Sequence, residues 1–215
     1  MEAAVRFISI LAVWVGAVSL GNFGEAADAV TIIATGEWSK PVADSRGYAL
    51  RGRLVLGEKP PRDELREVVV YVELQDASDF VGNSMRVFCE MGKTDFRPEY
   101  NRGLKCEMHD KEKRRIEGSG FPFGGAVPKS EWISLPVDAT IRMRATPFGI
   151  RRAGALAISP HLNSQWIIGD DDPNEYFLSG EFTVNPGEDQ KPPSDEHIWR
   201  GTIVLPAMRI VNKKP

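Results

Sequence analysis

The 215-residue chain has only two cysteines and three histidines, and charge of neither sign dominates it. Each scarcity removes a class of function. His109, His161 and His197 lie in separate segments, so no H-E-x-x-H metal motif exists, and neither a G-x-S-x-G elbow nor a Cys-His pair in a nucleophile context can be read. Acidic neighbours such as Asp76 and Asp79 in "LQDASD" are common at strand ends and carry no acid-base meaning without a pocket. The formal charge of -3 gives no electrostatic reason for a nucleic-acid partner or an anionic membrane surface. Neither catalysis nor a cofactor is expected.

Long apolar runs are also missing, apart from Phe7 to Leu20 ("FISILAVWVGAVSL"). At fourteen residues this run is shorter than the about 20 that span a bilayer. It follows a short segment carrying Arg6, which is the layout of a cleaved signal peptide. Small residues in "GEAADA" place cleavage after Ala26, with Ala27 and Gly21 as alternatives. No cysteine follows the run to carry a lipid anchor. Residues 1-26 are thus expected to be a signal peptide, and 27-215 a single exported domain, periplasmic or extracellular, with no stable membrane insertion after cleavage.

What the mature chain does have is period-2 alternation. In "YALRGRLVL", Tyr48, Leu50, Leu54 and Leu56 fall on one face and Arg51 and Arg53 on the other. In "EYFLSGEFTV", Tyr176, Leu178, Phe182 and Val184 share a face, and "IWRGTIVLP" groups Trp199, Ile203 and Leu205. Gly180 and Gly201 sit mid-strand, where glycine marks a bulge or the close approach of another group, here an indole. Further strands are expected at Val30 to Thr35, Val68 to Leu74, Met85 to Met91, Leu104 to His109, Thr140 to Ala145, Ala155 to Ile158 and Gln165 to Ile168. Pro61 to Glu67 suits one helical turn. Asp110 to Ser130 and Asn185 to Glu196 read as long polar loops. About ten short strands without an amphipathic helix predict an all-β, antiparallel β-sandwich, immunoglobulin-like or jelly-roll-like.

Both cysteines lie in an echoed tripeptide, "VFCEM" at Val87 to Met91 and "LKCEMHD" at Leu104 to Asp110. Strand parity puts Cys with Met on one face and Glu90 and Glu107 on the other. In an antiparallel pair with Cys89 opposite Cys106, every inward residue meets an apolar partner. An exported protein would close this as a disulfide, worth roughly 3 kcal/mol through the unfolded chain. Buried thiols are one alternative. A copper site is another, since Cys, Met and His109 are apt ligands, but parity turns His109 away from Cys106.

Two further segments could carry ligands. "DDDPNEYFLSGE" spaces Asp170, Asp172, Asn174 and Glu181 like a calcium loop, although Glu175 stands where a sharp turn needs glycine. A β-turn built on Pro173 is the preferred reading. "GSGFPFGGAVP" offers Phe121 and Phe123 between glycines, either to stack on a sugar or anchor a peptide, or to fold back over the open end of the sandwich. The mixed-sign run "DKEKRRIE" reads as a solvated hairpin tip, and Trp38, Trp132, Trp166 and Trp199 as structural.

Together, "GEWSKPV", "YFLSGEFTV" and "IWRGTIVLP" resemble uncharacterised exported β-sandwich proteins of planctomycete-type bacteria, over about Trp38 to Ile210. The resemblance implies an exported, mostly β fold without an assigned activity, and supplies no site residues. The expected role is a binding or structural module of the cell envelope, with an envelope protein or a glycan as partner; an accessory carbohydrate-binding protein and a hydrolase with an illegible site are the alternatives.

Overall fold

A computed structural model of the chain describes residues 30-61, 65-79, 84-94, 97-101, 103-120, 127-146, 148-152, 154-161, 164-185 and 197-210. The expected signal peptide, Phe121 and Phe123 lie outside them. Alternating sequence becomes strand throughout: β1 (Thr31–Thr35), β2 (Val42–Ala43), β3 (Ala49–Glu58), β4 (Arg66–Asp76), β5 (Met85–Thr94) and β6 (Arg97–Asn101) come first. They are followed by β7 (Leu104–Asp110), β8 (Arg115–Ile116), β9 (Ser119–Gly120), β10 (Val127–Leu135), β11 (Thr140–Arg144) and β12 (Phe148–Arg152). The last are β13 (Ala155–His161), β14 (Ser164–Gly169), β15 (Tyr176–Val184), β16 (His197–Ile198) and β17 (Gly201–Ile210). The described residues contain no helix, and so none long and apolar enough to cross a membrane. In place of a helical turn at Pro61 to Glu67, Arg66 and Glu67 already belong to β4.

These strands form three sheets. The nine-stranded sheet runs β1-β3-β4-β12-β13-β14-β9, with β2 also on β3 and β11 also on β4. The second is β10-β5-β16 with β6 on β5, and the third is β17-β15-β7-β8. Every pairing is antiparallel except the short parallel contact of β16 with β5. The supposed loop Asp110 to Ser130 contributes β8, β9 and the start of β10. Its first part is the expected hairpin tip, since Asp110 accepts bonds from the Arg114 amide (2.9 Å) and Nε (2.7 Å) while β7 and β8 pair on either side.

One core joins the sheets. Leu50, Leu54 and Leu56 of β3 stand across from Asp76, Val72 and Val70 of β4, and the leucines and valines are buried with Met85 and Val87 of β5, Leu178 and Phe182 of β15, and Ile203 and Leu205 of β17. The nine-stranded sheet and β17 approach so closely that a Cβ at Gly52 would lie 2.8 Å from Leu205 Cδ2. Gly180 marks a register irregularity between β15 and β17, with the Lys105 carbonyl oxygen 2.9 Å from where its Cβ would be. Pro206 lies in the same irregularity on β17, where a residue without an N–H costs no ladder bond.

The indole expected near Gly201 is that of Trp199. The ring is fully buried, its Nε1 donates to the Val42 carbonyl at 3.1 Å, and its Cη2 would be 2.9 Å from a Cβ on residue 201. Gly201→Ala should therefore displace the ring and lower stability by about 1 to 3 kcal/mol. Urea unfolding followed by tryptophan fluorescence measures this, and an unchanged midpoint would show that the ring has room to move.

Candidate functional site

Polar positions of β3, β4 and β11 assemble on the face of the nine-stranded sheet opposite the core. The ladder register sets Arg51 beside Gln75 and Thr140, Arg53 beside Glu73 and Arg142, and Val55 beside Tyr71 and Arg144. Cross-strand partners share a face, so these rows are the units of contact. Glu73 is the centre. Its side chain is only 4% exposed, with Oε2 accepting from Arg53 Nε at 2.6 Å and Oε1 from Arg142 Nε and Nη2 at 2.8 and 2.5 Å. A carboxylate so far out of water is tolerated only when paired and hydrogen-bonded, and here two guanidiniums do both.

Arg51 has a neutral partner, donating from Nε and Nη2 to Gln75 Oε1 at 2.9 and 2.7 Å. Trp38 joins the face because residues 36 to 39 run along β3: the Gly36 amide donates to the Leu54 carbonyl and the Ser39 amide to that of Gly52, both at 2.8 Å. The indole centroid is 4.4 Å from the Arg53 guanidinium carbon and 5.1 Å from that of Arg51, a cation–π arrangement. Further along, Glu67 accepts from Arg144 Nη1 (2.7 Å) and pairs with Lys59 Nζ (3.1 Å). Burial alone would raise the Glu67 carboxyl, but Arg144 and Lys59 outweigh it and hold the group below its ordinary value. Tyr71 is raised by burial, which the charges of Arg144 and Arg142 only partly offset. Around Trp38 the three cations Arg51, Arg53 and Arg142 meet one carboxylate, Glu73, a surplus of two positive charges among the described residues on a chain of formal charge -3.

No family model, curated protein or solved structure matches the chain.

A second constellation is buried. His197 Nε2 bonds Asp44 Oδ2, and the imidazole stacks on Tyr48 with centroids 3.8 Å apart. Asp44 Oδ1 accepts from the Arg46 and Tyr48 amides at 2.9 and 3.1 Å, so this carboxylate organises the β2–β3 turn as well. Both the His197 and the Asp44 side chains are under a tenth exposed. The pair is a clasp between remote segments. Sequence reading missed it, because 153 residues separate its members and no periodicity links them.

The expected cysteine register is not the one the chain adopts. Cys89 stands opposite Glu131 of β10, and Cys106 opposite Gly180 of β15, on strands of different sheets. Both are buried and neither is bridged. Parity is right for β7, where Leu104, Cys106 and Met108 are buried while His109 is turned towards Glu107, 3.5 Å away. Cys89 Sγ lies 3.4 Å from Met143 Sδ, a soft contact inside the core. Met91's side chain lies outside what the structure describes.

The Asp170 segment is a turn in its bonding. Asp172 Oδ1 accepts from the Asn174 amide (2.9 Å) and Nδ2 (2.8 Å), its Oδ2 accepts from the Tyr176 hydroxyl (2.6 Å), and Asp170 Oδ2 accepts from the Gly154 amide (3.0 Å). Asp170, Asp172 and Glu181 do not converge into a cage, as no three of His, Cys, Asp or Glu do among the described residues. Trp166 and Trp199 are buried as expected, whereas Trp38 and Trp132 are half-buried.

Two measurements check these assignments. A carboxyl held low in the folded chain contributes stability that is present above its ordinary value of 4.5 and lost as pH falls through the folded value. The urea midpoint should thus drop below that pH, less steeply in Glu67→Gln; an identical acid limb would separate Glu67 from the pairing. Burial pushes the Cys106 thiol up to about 12, so at pH 8 only about one thiol in ten thousand is ionised. Cys106 should resist alkylation in the native chain, and denaturation without reductant should release two titratable thiols; finding none would mean that the pair is bridged.

Proposed function

We propose that the mature chain is an exported β-sandwich serving as a non-catalytic binding module of the cell envelope, with the Trp38, Arg51, Arg53 and Arg142 face as its binding surface. Export rests on the run Phe7 to Leu20 and the small residues ending at Ala26. The sandwich reading is supported by the core, in which apolar faces of the nine-stranded sheet and of β15 and β17 bury one another.

The observation that carries the binding reading is Glu73 held between Arg53 and Arg142. Guanidiniums fixed by a buried carboxylate and an indole lose little freedom on meeting a ligand, which lowers the cost of association. An accessory role on carbohydrate is the second reading, favoured by the indole of Trp38 beside hydrogen-bonding forks. Affinity capture from a native envelope extract tests the proposal, with the mature chain and an Arg51→Ala, Arg142→Gln double variant as baits. The double variant should stay folded, melting lower because Glu73 loses one of its two partners, and at a temperature where both baits are native it should recover several-fold less of the bound material. Equal recovery would rule out this face, and detection of an uncleaved chain in the cytoplasm would rule out export.

A further inference from the structure

We propose that the Trp38 face binds an anionic polysaccharide, one bearing uronate carboxylates or sulfates, with Arg51 and Arg142 as the cations that meet it; the proposal rests on the face being a binding surface. Charge comes first. Arg51 carries its positive charge on a neutral amide, and Arg53 and Arg142 share one carboxylate, so among the described residues these three guanidiniums leave the face a net positive charge. The Arg142 side chain is 44% exposed and that of Arg53 28%. A guanidinium offers five donors in a planar fork that matches carboxylate or sulfate oxygens two at a time, and the bonds to Glu73 occupy only one donor of Arg53 and two of Arg142.

Placement then separates a glycan from a peptide. A peptide recognised by a sheet normally adds as a strand at an edge, where unpaired backbone groups are available. Here the cations are on a sheet face, spread in two dimensions. Arg51 and Arg53 are two residues apart on one strand, about 7 Å, and Arg142 is two strands away from Arg53, about 10 Å. β3 is paired on both sides, by β1 and β2 on one and β4 on the other, so the strand that carries Arg51 and Arg53 offers no edge; β11, which carries Arg142, pairs only β4 among the described strands, and poly-L-glutamate tests a peptide there. A linear acidic polysaccharide suits such a face: its charged groups recur along a chain, and a pyranose ring can lie against the partly exposed indole of Trp38. The local surplus of positive charge on a net negative protein would also steer a polyanion to this face.

The test is calorimetric titration of the purified mature chain with an oligogalacturonide and a heparin oligosaccharide, with dextran, poly-L-glutamate and a single-stranded oligonucleotide as comparisons. At least one acidic glycan should bind, with affinity that falls as salt rises, and dextran should not. Preference between the two identifies carboxylate or sulfate as the recognised group. Arg51→Ala should weaken binding by about tenfold or more. Arg51→Lys, which keeps the charge and loses the fork, should also bind less tightly, with an unchanged melting temperature. Arg209→Ala, at an exposed position of β17 outside this face, should bind as the parent does. Lack of binding to both acidic glycans, undiminished binding by both Arg51 variants, or equally tight binding of poly-L-glutamate or the oligonucleotide would each overturn the proposal. If the glycans fail while the Arg51→Ala, Arg142→Gln bait still loses envelope material, the binding face stands and only its ligand class falls.

Discussion

The side chain of His197 bonds Asp44 in the β2–β3 turn while the backbone of His197 and Ile198 pairs with Met85 and Arg86 of β5, and two residues later the chain enters β17. Five residues, His197 to Gly201, therefore touch all three sheets. The Trp199 amide adds a bond to the Arg86 carbonyl at 3.1 Å, and its indole one to that of Val42. A fully buried tryptophan supplies the apolar area that makes such a crossing stable, and its two hydrogen bonds leave neither donor unsatisfied. Because these contacts join positions about 110 to 160 residues apart, their formation must overcome the entropy of closing long loops, which ties the assembly of each sheet to that of the others.

Against this junction the outer face of the nine-stranded sheet solves a different problem. A sheet with one face in the core must keep its other face wet or cover it. Val55 and Val69 are on this outer face yet buried, with Tyr71 opposite the first and next along the strand from the second, and arginines in the flanking rows. Long side chains with apolar stems and charged ends can cover such valines and remain hydrated at their tips. Glu73 turns that cover into an ordered array, since one carboxylate fixes guanidiniums from the strands on either side of β4.

Most of the strands were legible because burial on one face imposes period 2 on the sequence. The leucines of β3, the alternation of β15 and the Trp199–Gly201 contact all follow from that rule. β12 escaped it. Its sequence "FGIRR" buries Arg151, which bonds Glu58 at 2.6 Å, so a charged residue occupies a position that pattern reading reserves for an apolar one. β10 was obscured by Pro128 and Lys129, both acceptable on a strand that β5 pairs on one side only. The arginine rows were half legible: Arg51 and Arg53 could be placed outward, but Glu73 and Arg142 became their neighbours only once strand order was known.

The cysteine echo shows where such reading stops. Parity is a local property, fixed by the pleat, and it correctly sent Cys89 and Cys106 inward. Which strand lies alongside is decided by the whole set of apolar faces and by the loops between them. β5 gains more by pairing nine residues of β10 than its short apolar segment could gain from β7, and β7 in turn finds a seven-residue partner in β15. Both choices bury the same cysteines. Identical tripeptides can therefore share an environment without sharing a ladder. The same limit explains why His197 and Asp44, each unremarkable in its own segment, had to be found in three dimensions.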